Sequence, residues 1–132
     1  MTKTDLAKTH STVDFGNDSV VCPLFISGIR GGRSLNVEDV TDSVLKAGHV
    51  IIVKDGDYKP MPVSSGAYGT LPSGYSYAGV LYKTVPTDLA MASIMTNGEV
   101  NSVAVPYEMD SILDAFKAAV PNITFVSAED DE

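Results

Sequence analysis

The sequence predicts an α+β fold that is rich in β-structure: a small mixed β module built of hairpins, one C-terminal amphipathic helix and an extended N-terminal arm. Short β-branched runs are separated by the turn pairs Asp55-Gly56 and Asn97-Gly98. The 11 Gly and 7 Pro are clustered rather than spread, and apolar residues recur at helical spacing from Met109 to Val120. We expect three parts: an arm and linker over residues 1–44, the β module over residues 45–126, and an acidic tail over residues 127–132.

Size and charge limit the functions open to the chain. Its 132 residues suffice for one domain with a hydrophobic core. The net charge of −8 argues against sequence-independent binding to nucleic acid, which needs a basic face. Half of this charge lies in Glu129-Asp130-Asp131-Glu132, which we interpret as a solvated tail.

Cysteine content and hydropathy indicate the compartment. The single Cys22 cannot form an internal disulfide. Polar residues follow Met1 where a secretory signal would be apolar, and the longest apolar runs have only a few residues. We therefore expect a protein that is made in the cytoplasm, has no membrane partner, and is used there or in a particle assembled there.

An apolar segment follows the polar N-terminal residues. Residues 1 to about 20 show no helix or strand period, which predicts an extended or disordered arm. The segment from Val20 to Ile26 has the composition of a strand, but Pro23 lacks an amide donor and suits only an edge. Such a segment can add to its own sheet or to a strand of another chain.

The glycine-rich stretch from Gly28 to Ser34 leaves three interpretations open. It contains Arg30 and Arg33, but it has no Gly-Lys-Ser/Thr ending of the kind that phosphate loops carry. It is interpreted first as a flexible linker with solvated arginines, then as a contact with an acidic protein surface, and last as a phosphate site.

The module is predicted to begin with a hairpin and a long loop. The run from His49 to Lys54 predicts a strand buried on both faces, and Asp55-Gly56 predicts the turn to an edge strand that carries Pro60. The loop from Pro60 to Ser76 is rich in Pro, Gly and Ser, and loops of this length are often functional. Its candidate outer contacts are Tyr68, Leu71 and Tyr75; Tyr75 and Tyr77 can stack on a ligand, or pack over the loop or at a subunit contact.

Three further elements complete the module. The run from Tyr77 to Val85 predicts a strand in which Gly79 marks a bulge or a close backbone approach. Asn97-Gly98 predicts a type I′ turn between paired flanks that contain Ile94 and Val100. A helix is predicted between Pro106 and Pro121, followed by a closing strand to Val126; the apolar face of the helix is Met109, Ile112, Leu113, Phe116 and Val120.

The reactive side chains do not converge on a catalytic or metal site. His10 and His49 lie 39 residues apart, and Cys22 sits in an apolar run where thiols are usually inert. We expect His49 to be a partly exposed packing residue. Asp55-Gly56-Asp57 resembles the opening of a calcium loop, but residue 66 is Gly where the closing Glu would stand. We therefore expect no enzyme activity, no metal and no cofactor.

Four motifs resemble those of the lambda-type head decoration proteins of tailed phages, over about residues 45–126. They are Lys46-Ala47-Gly48-His49-Val50-Ile51-Ile52, Asp55-Gly56-Asp57-Tyr58-Lys59-Pro60, Tyr77-Ala78-Gly79-Val80-Leu81-Tyr82 and Asn97-Gly98-Glu99-Val100-Asn101. The resemblance implies a homotrimer on the capsid exterior that clamps neighbouring major capsid subunits. It also implies an N-terminal arm that orders by pairing with a capsid strand; here the arm residues are Val20, Val21, Leu24, Phe25, Ile26, Ile29, Arg30 and Arg33.

Two other functions stay open at this point. The first is a head-fibre base or anchor, in which the loop from Pro60 to Ser76 or the acidic tail holds another protein. The second is a small ligand-binding or hydrolase domain, for which the sequence supplies no reactive constellation. The arm before the module has about 44 residues, which leaves room for an additional contact.

Overall fold

The computed structural model describes residues 18–29, 32–38, 40–64, 66–107 and 109–126. Its helices are α1 (Asp18–Val21) and α2 (Leu113–Ala119), and a 3-10 turn spans Thr87–Leu89. The strands are β1 (Leu24–Gly28), β2 (Arg33–Ser34), β3 (Val44–Leu45), β4 (Val50–Lys54), β5 (Asp57–Pro60), β6 (Val63–Ser64), β7 (Ala67–Tyr68), β8 (Ser76–Leu81), β9 (Val85–Pro86), β10 (Met91–Ala92), β11 (Ile94–Asn101) and β12 (Ile123–Val126).

The main sheet of the described residues has six strands. Its order is β1-β11-β8-β4-β5, and β12 pairs with β11 as well. The pairs along this order are antiparallel, whereas β12 runs parallel to β11. The short strands form three separate two-stranded pairs: β2 with β10, β3 with β9, and β6 with β7. The predicted β-rich mixed fold with one amphipathic C-terminal helix is thus confirmed.

Side chains are buried on both faces of the main sheet. Alternate residues of a strand point to opposite faces of the sheet. Val50 and Ile52 of β4 therefore belong to a first core cluster on one face, and Ile51 belongs to a second core cluster on the other face. The first cluster is covered by Phe116 of α2 and its neighbours. The second cluster is covered by Leu35, Ala90 and Ala92. This double burial explains why the run from His49 to Val53 is almost continuously apolar.

The first predicted hairpin is confirmed. β4 and β5 pair antiparallel with Lys54 opposite Asp57, so Asp55-Gly56 forms a two-residue turn. Asp55 has a φ of 50° and Gly56 a φ of 82°, the positive values that a type I′ turn requires at both positions. β5 is the last strand in the order of the sheet, as Pro60 predicted.

The predicted hairpin at Asn97-Gly98 is wrong. Both residues lie inside β11, which continues without a turn to Asn101. Gly98 has a φ of 156°, far from the roughly 60–90° of a type I′ turn. A Cβ on Gly98 would overlap the carbonyl oxygen of Leu24 in β1. The glycine is therefore required by the close approach of the edge strand, and not by a reversal of the chain.

The C-terminal helix is shorter than predicted. Pro106 lies seven residues before α2, which begins at Leu113 and ends at Ala119; the residues from Asp110 to Ile112 form turns instead. The predicted apolar face is nevertheless buried, with Met109, Ile112, Phe116 and Val120 in the first core cluster and Leu113 packed against it. The closing strand is confirmed as β12, whose end pairs Val126 with Asn101.

Two further predictions, one for the arm and one for His49, also need correction. Residues 18–20 were expected to be extended or disordered, whereas Asp18–Val21 is one helical turn. His49 was expected to be partly exposed, but it is buried. Packing also runs across the expected boundary at residue 45, since Val21, Cys22 and Leu35 belong to the core clusters. Residues 1–17 and the acidic tail lie outside the described residues.

Candidate docking surface

β1 is an edge strand of the main sheet. It pairs antiparallel with β11, from Leu24 opposite Glu99 to Gly28 opposite Met95, and within the described residues it has no partner on its other side. The exposed Pro23 directly precedes it. The apolar segment therefore adds to its own sheet, which was one of the two outcomes that the sequence left open.

The side chains of β1 contribute little to the core. Leu24, Phe25 and Ile26 are all exposed, and Val20 just before them is exposed as well. The pairing with β11 is irregular on both sides of Ser27, so Ile26 is an extra residue and is 58% exposed. Bulges of this kind redirect side chains. Hydrophobic residues on an open strand edge form a template for pairing with another chain.

A neighbouring aromatic ring extends this surface. The rings of Phe25 and Tyr82 have centroids 4.6 Å apart at 46°, and Lys83 Nζ lies 5.1 Å from the centroid of the Tyr82 ring. We call the exposed side chains of Val20, Leu24, Phe25 and Ile26, together with Tyr82 and Lys83, the β1 surface. Sequence reasoning missed Tyr82 and Lys83, because no local pattern joins residues that are 57 positions apart.

The opposite edge of the sheet is covered. Asn36 donates its backbone N–H to the carbonyl oxygen of Tyr58 on β5 at 2.8 Å, and its side-chain amide donates to Asp57 at 3.3 Å. Pro60 ends β5 and has no amide hydrogen. Of these two edges, β1 is therefore better able to accept a further strand.

The structure separates the predicted arm residues into different environments. Val20, Leu24, Phe25 and Ile26 are exposed, whereas Val21 is a core residue and Ile29 packs against the second core cluster. Arg33 is exposed, with its guanidinium carbon 5.7 Å from the centroid of the Tyr58 ring on β5. Arg30 lies outside the described residues.

The predicted outer-loop contacts are only partly accessible. Tyr68 is wrong as an outer contact, because it is 5% exposed and its hydroxyl accepts the backbone N–H of Val50 at 3.1 Å. Leu71 and Tyr75 are partly buried against the first core cluster. The Tyr75 ring has Lys59 Nζ at 4.8 Å from its centroid, and its hydroxyl donates to Asp57 at 3.4 Å.

Two buried groups that could bear chemistry are engaged in packing. The His49 ring bonds through Nε2 to the carbonyl oxygen of Met61 at 2.9 Å and meets Tyr68 and Tyr107 edge-on. Burial lowers the pKa of His49, opposed by the Met61 carbonyl and by Asp42. The Cys22 thiol is 3.9 Å from the carbonyl oxygen of Leu81, and its burial keeps it from reagents in solvent.

No metal or membrane element is found among the described residues. No cluster of three or more His, Cys, Asp or Glu side chains is arranged to hold a metal ion in that part of the chain. No helix there is both long enough and apolar enough to cross a membrane. Comparison with known proteins adds no assignment, since no family model, no curated protein and no solved structure matches the chain.

Proposed function

We propose that this protein is a non-enzymatic structural component of a tailed-phage head. In this proposal it binds the major capsid protein on the outside of the capsid, stabilises the shell, and assembles as a homotrimer. The observation that carries the proposal is the β1 surface: an edge strand whose apolar side chains are exposed and whose outer side is open within the described residues. The four sequence motifs described above support the choice of a capsid as the partner.

The physical basis of docking is strand addition. A capsid strand placed beside β1 would satisfy its outer backbone groups and would cover Leu24, Phe25 and Ile26. Since Leu24–Gly28 already forms a strand, the contact extends a preformed edge and does not have to order these five residues. Three such edges on one trimer would strengthen a weak contact by raising its effective concentration.

Point substitutions test this proposal better than deletion of the arm. Removing residues 1–33 would also remove Val21 and Cys22 from the core, so a loss of binding could reflect unfolding. Ile26→Lys adds a charge at an exposed position of β1 and leaves the core intact. Leu89→Lys is the matched control, because Leu89 is 67% exposed and lies in the 3-10 turn, outside β1.

The measurement is co-sedimentation of the purified protein with undecorated mature heads from its source. We expect the wild type and Leu89→Lys to bind equally and Ile26→Lys to bind about tenfold more weakly or worse, as for loss of a central interface contact. Equal binding by all three proteins would refute docking through β1. A wild type that binds no heads would refute the capsid function itself.

A further inference from the structure

A surface hollow of about 380 Å³ lies close to the point where the described chain begins. Its lining combines half-buried apolar residues with exposed polar ones: Val44, Pro106 and Tyr107 are the apolar residues, and Asp42, Ser43 and Lys46 are the polar ones. We call it the Pro106 hollow. Tyr107 also lines an adjoining hollow together with Leu45 and Met61. None of the residues that line the Pro106 hollow belongs to the β1 surface.

α1 is fixed next to this hollow through Val21, which is 4% exposed. A Cβ built on Gly48 would lie 2.6 Å from Val21 Cγ1 and 3.1 Å from Pro106 Cδ, so the side chains of Val21 and Pro106 flank the same glycine. Asp18, the first described residue, is one helical turn before Val21, a distance of about 5 Å along the helix axis. The residues that precede Asp18 are therefore joined to the structure beside the Pro106 hollow.

The segment before Asp18 carries one side chain of the right kind to fill this hollow. Residues 1–17 contain a single Phe, Tyr or Trp, which is Phe15. Phe15 stands three residues before Asp18, and three residues of extended chain span at most about 10 Å. This length is sufficient for the Phe15 ring to reach the Pro106 hollow.

The lining of the hollow favours an uncharged aromatic side chain. Asp42 and Lys46 contribute one charge of each sign, so the lining offers no net charge that would select an anion or a cation. Tyr107 presents a half-buried ring, and aromatic rings pair edge-to-face or offset at centroid distances of about 4.5–7 Å. The volume is near the lower end of the range of about 300–1,000 Å³ that is typical of binding pockets, which suits one large side chain.

We propose that the Pro106 hollow is the docking site of Phe15 of the same chain. The Phe15 ring lies against Val44, Pro106 and Tyr107 and removes apolar surface of all three from water. Only residues 16 and 17 lie between the ring and α1, so few residues lose conformational freedom on docking and the entropic cost is small. The proposal does not depend on the capsid function.

NMR spectroscopy of the full chain tests the proposal. We expect nuclear Overhauser effects between the ring protons of Phe15 and the methyl groups of Val44, which show direct contact. Phe15→Ala should shift the backbone amide signals of Val44, Lys46 and Tyr107, because the ring no longer lies beside them. Thr12→Ala is the matched control in the same segment, and it should leave these amide signals unshifted.

Three other results would overturn the proposal. The first is the absence of both the Overhauser effects and the amide shifts at the hollow. The second is a set of Phe15→Ala shifts confined to β1, which would place the ring on the β1 surface. The third is a set of Overhauser effects that arise only between labelled and unlabelled chains in a mixed sample, which would make a second copy of the chain the source of the ring. None of these results changes the expected binding of Ile26→Lys and Leu89→Lys to heads, because that measurement reports on the β1 surface.

Discussion

Two glycines of the main sheet are required by the close approach of neighbouring strands. A Cβ at Gly79 of β8 would overlap the backbone oxygen of Met95, and a Cβ at Gly98 of β11 would overlap that of Leu24. The pairing register also has Ala78 as an extra residue, since Ile51 is opposite Gly79 and Ile52 is opposite Tyr77. Both features that the sequence suggested for Gly79, a bulge and a close approach, are therefore confirmed.

We expect Gly79→Ala to lower the free energy of unfolding by about 1 to 3 kcal/mol, the usual cost of forcing an extra group into a packed interior. The added methyl group meets backbone atoms, which cannot move aside as a flexible side chain can. Gly69→Ala is the control, because the nearest atom to its Cβ is the Pro62 oxygen at 3.8 Å. Urea denaturation monitored by circular dichroism measures both variants. A Gly79→Ala protein as stable as Gly69→Ala would contradict the strand packing described above.

Glycine after a turn-favouring residue gave a correct prediction at one position and a wrong prediction at another. Gly56 and Gly98 both follow a residue that favours turns, Asp55 and Asn97. Only Asp55-Gly56 is a turn; Gly98 gives room to β1. The strand that needs this room lies more than 70 residues earlier in the chain, and a local pattern cannot reveal such a contact. At Asn97-Gly98, tertiary packing therefore overrides the local preference of these residues for a turn.

The apolar period of the C-terminal segment correctly predicted which residues are buried, but it predicted too long a helix. Buried residues from Met109 to Val120 match the predicted face, although only Leu113–Ala119 is helical. Turns can bury the same side chains as a helix, so the period alone does not fix the helix start. The short pairs β2–β10 and β3–β9 were not predicted, because two-residue strands carry no measurable alternation.

α2 is held to the sheet mainly through Phe116, so we expect Phe116→Ala to lower the free energy of unfolding by about 3 to 5 kcal/mol. The ring is fully buried, and its centroid lies 5.5 Å from that of Tyr77 and 5.8 Å from that of Phe125. Lys117→Ala, on the exposed side of the same helix, should change it by less than about 0.5 kcal/mol. Denaturation midpoints measured side by side test this. Equal losses in the two variants would mean that the helix does not dock through Phe116.

The candidate docking surface lies at one end of the strand order, at β1. Sequence composition located it, because an apolar segment in a polar arm is visible without a structure. It could not show that Val21 faces the core while Ile26 faces solvent. The apolar hollow that Leu45, Met61 and Tyr107 line was not predicted either, because these residues meet only through the fold.

Stability of the whole molecule should depend on pH through His49. Burial lowers the pKa of His49 in the folded protein, whereas in the unfolded chain it is near 6.5. The unfolded state therefore binds a proton first as the pH falls. The free energy of unfolding should be unaffected by His49 well above pH 6.5, and it should decrease below pH 6.5 by up to about 1.4 kcal/mol per pH unit. This loss ends only when the pH falls below the folded-state pKa.

His49→Gln isolates this contribution from the other titrating groups. As the pH falls, carboxylate protonation reduces the net charge of −8 in wild type and variant alike, and His10 is present in both. We expect the difference in unfolding free energy, wild type minus His49→Gln, to be constant well above pH 6.5 and to decrease once the pH falls below 6.5. Urea titrations at half-unit pH steps measure this difference. If it stays constant over the whole range, His49 is protonated as easily in the folded state as in the unfolded state, and its burial beside Met61 and Tyr107 is wrong.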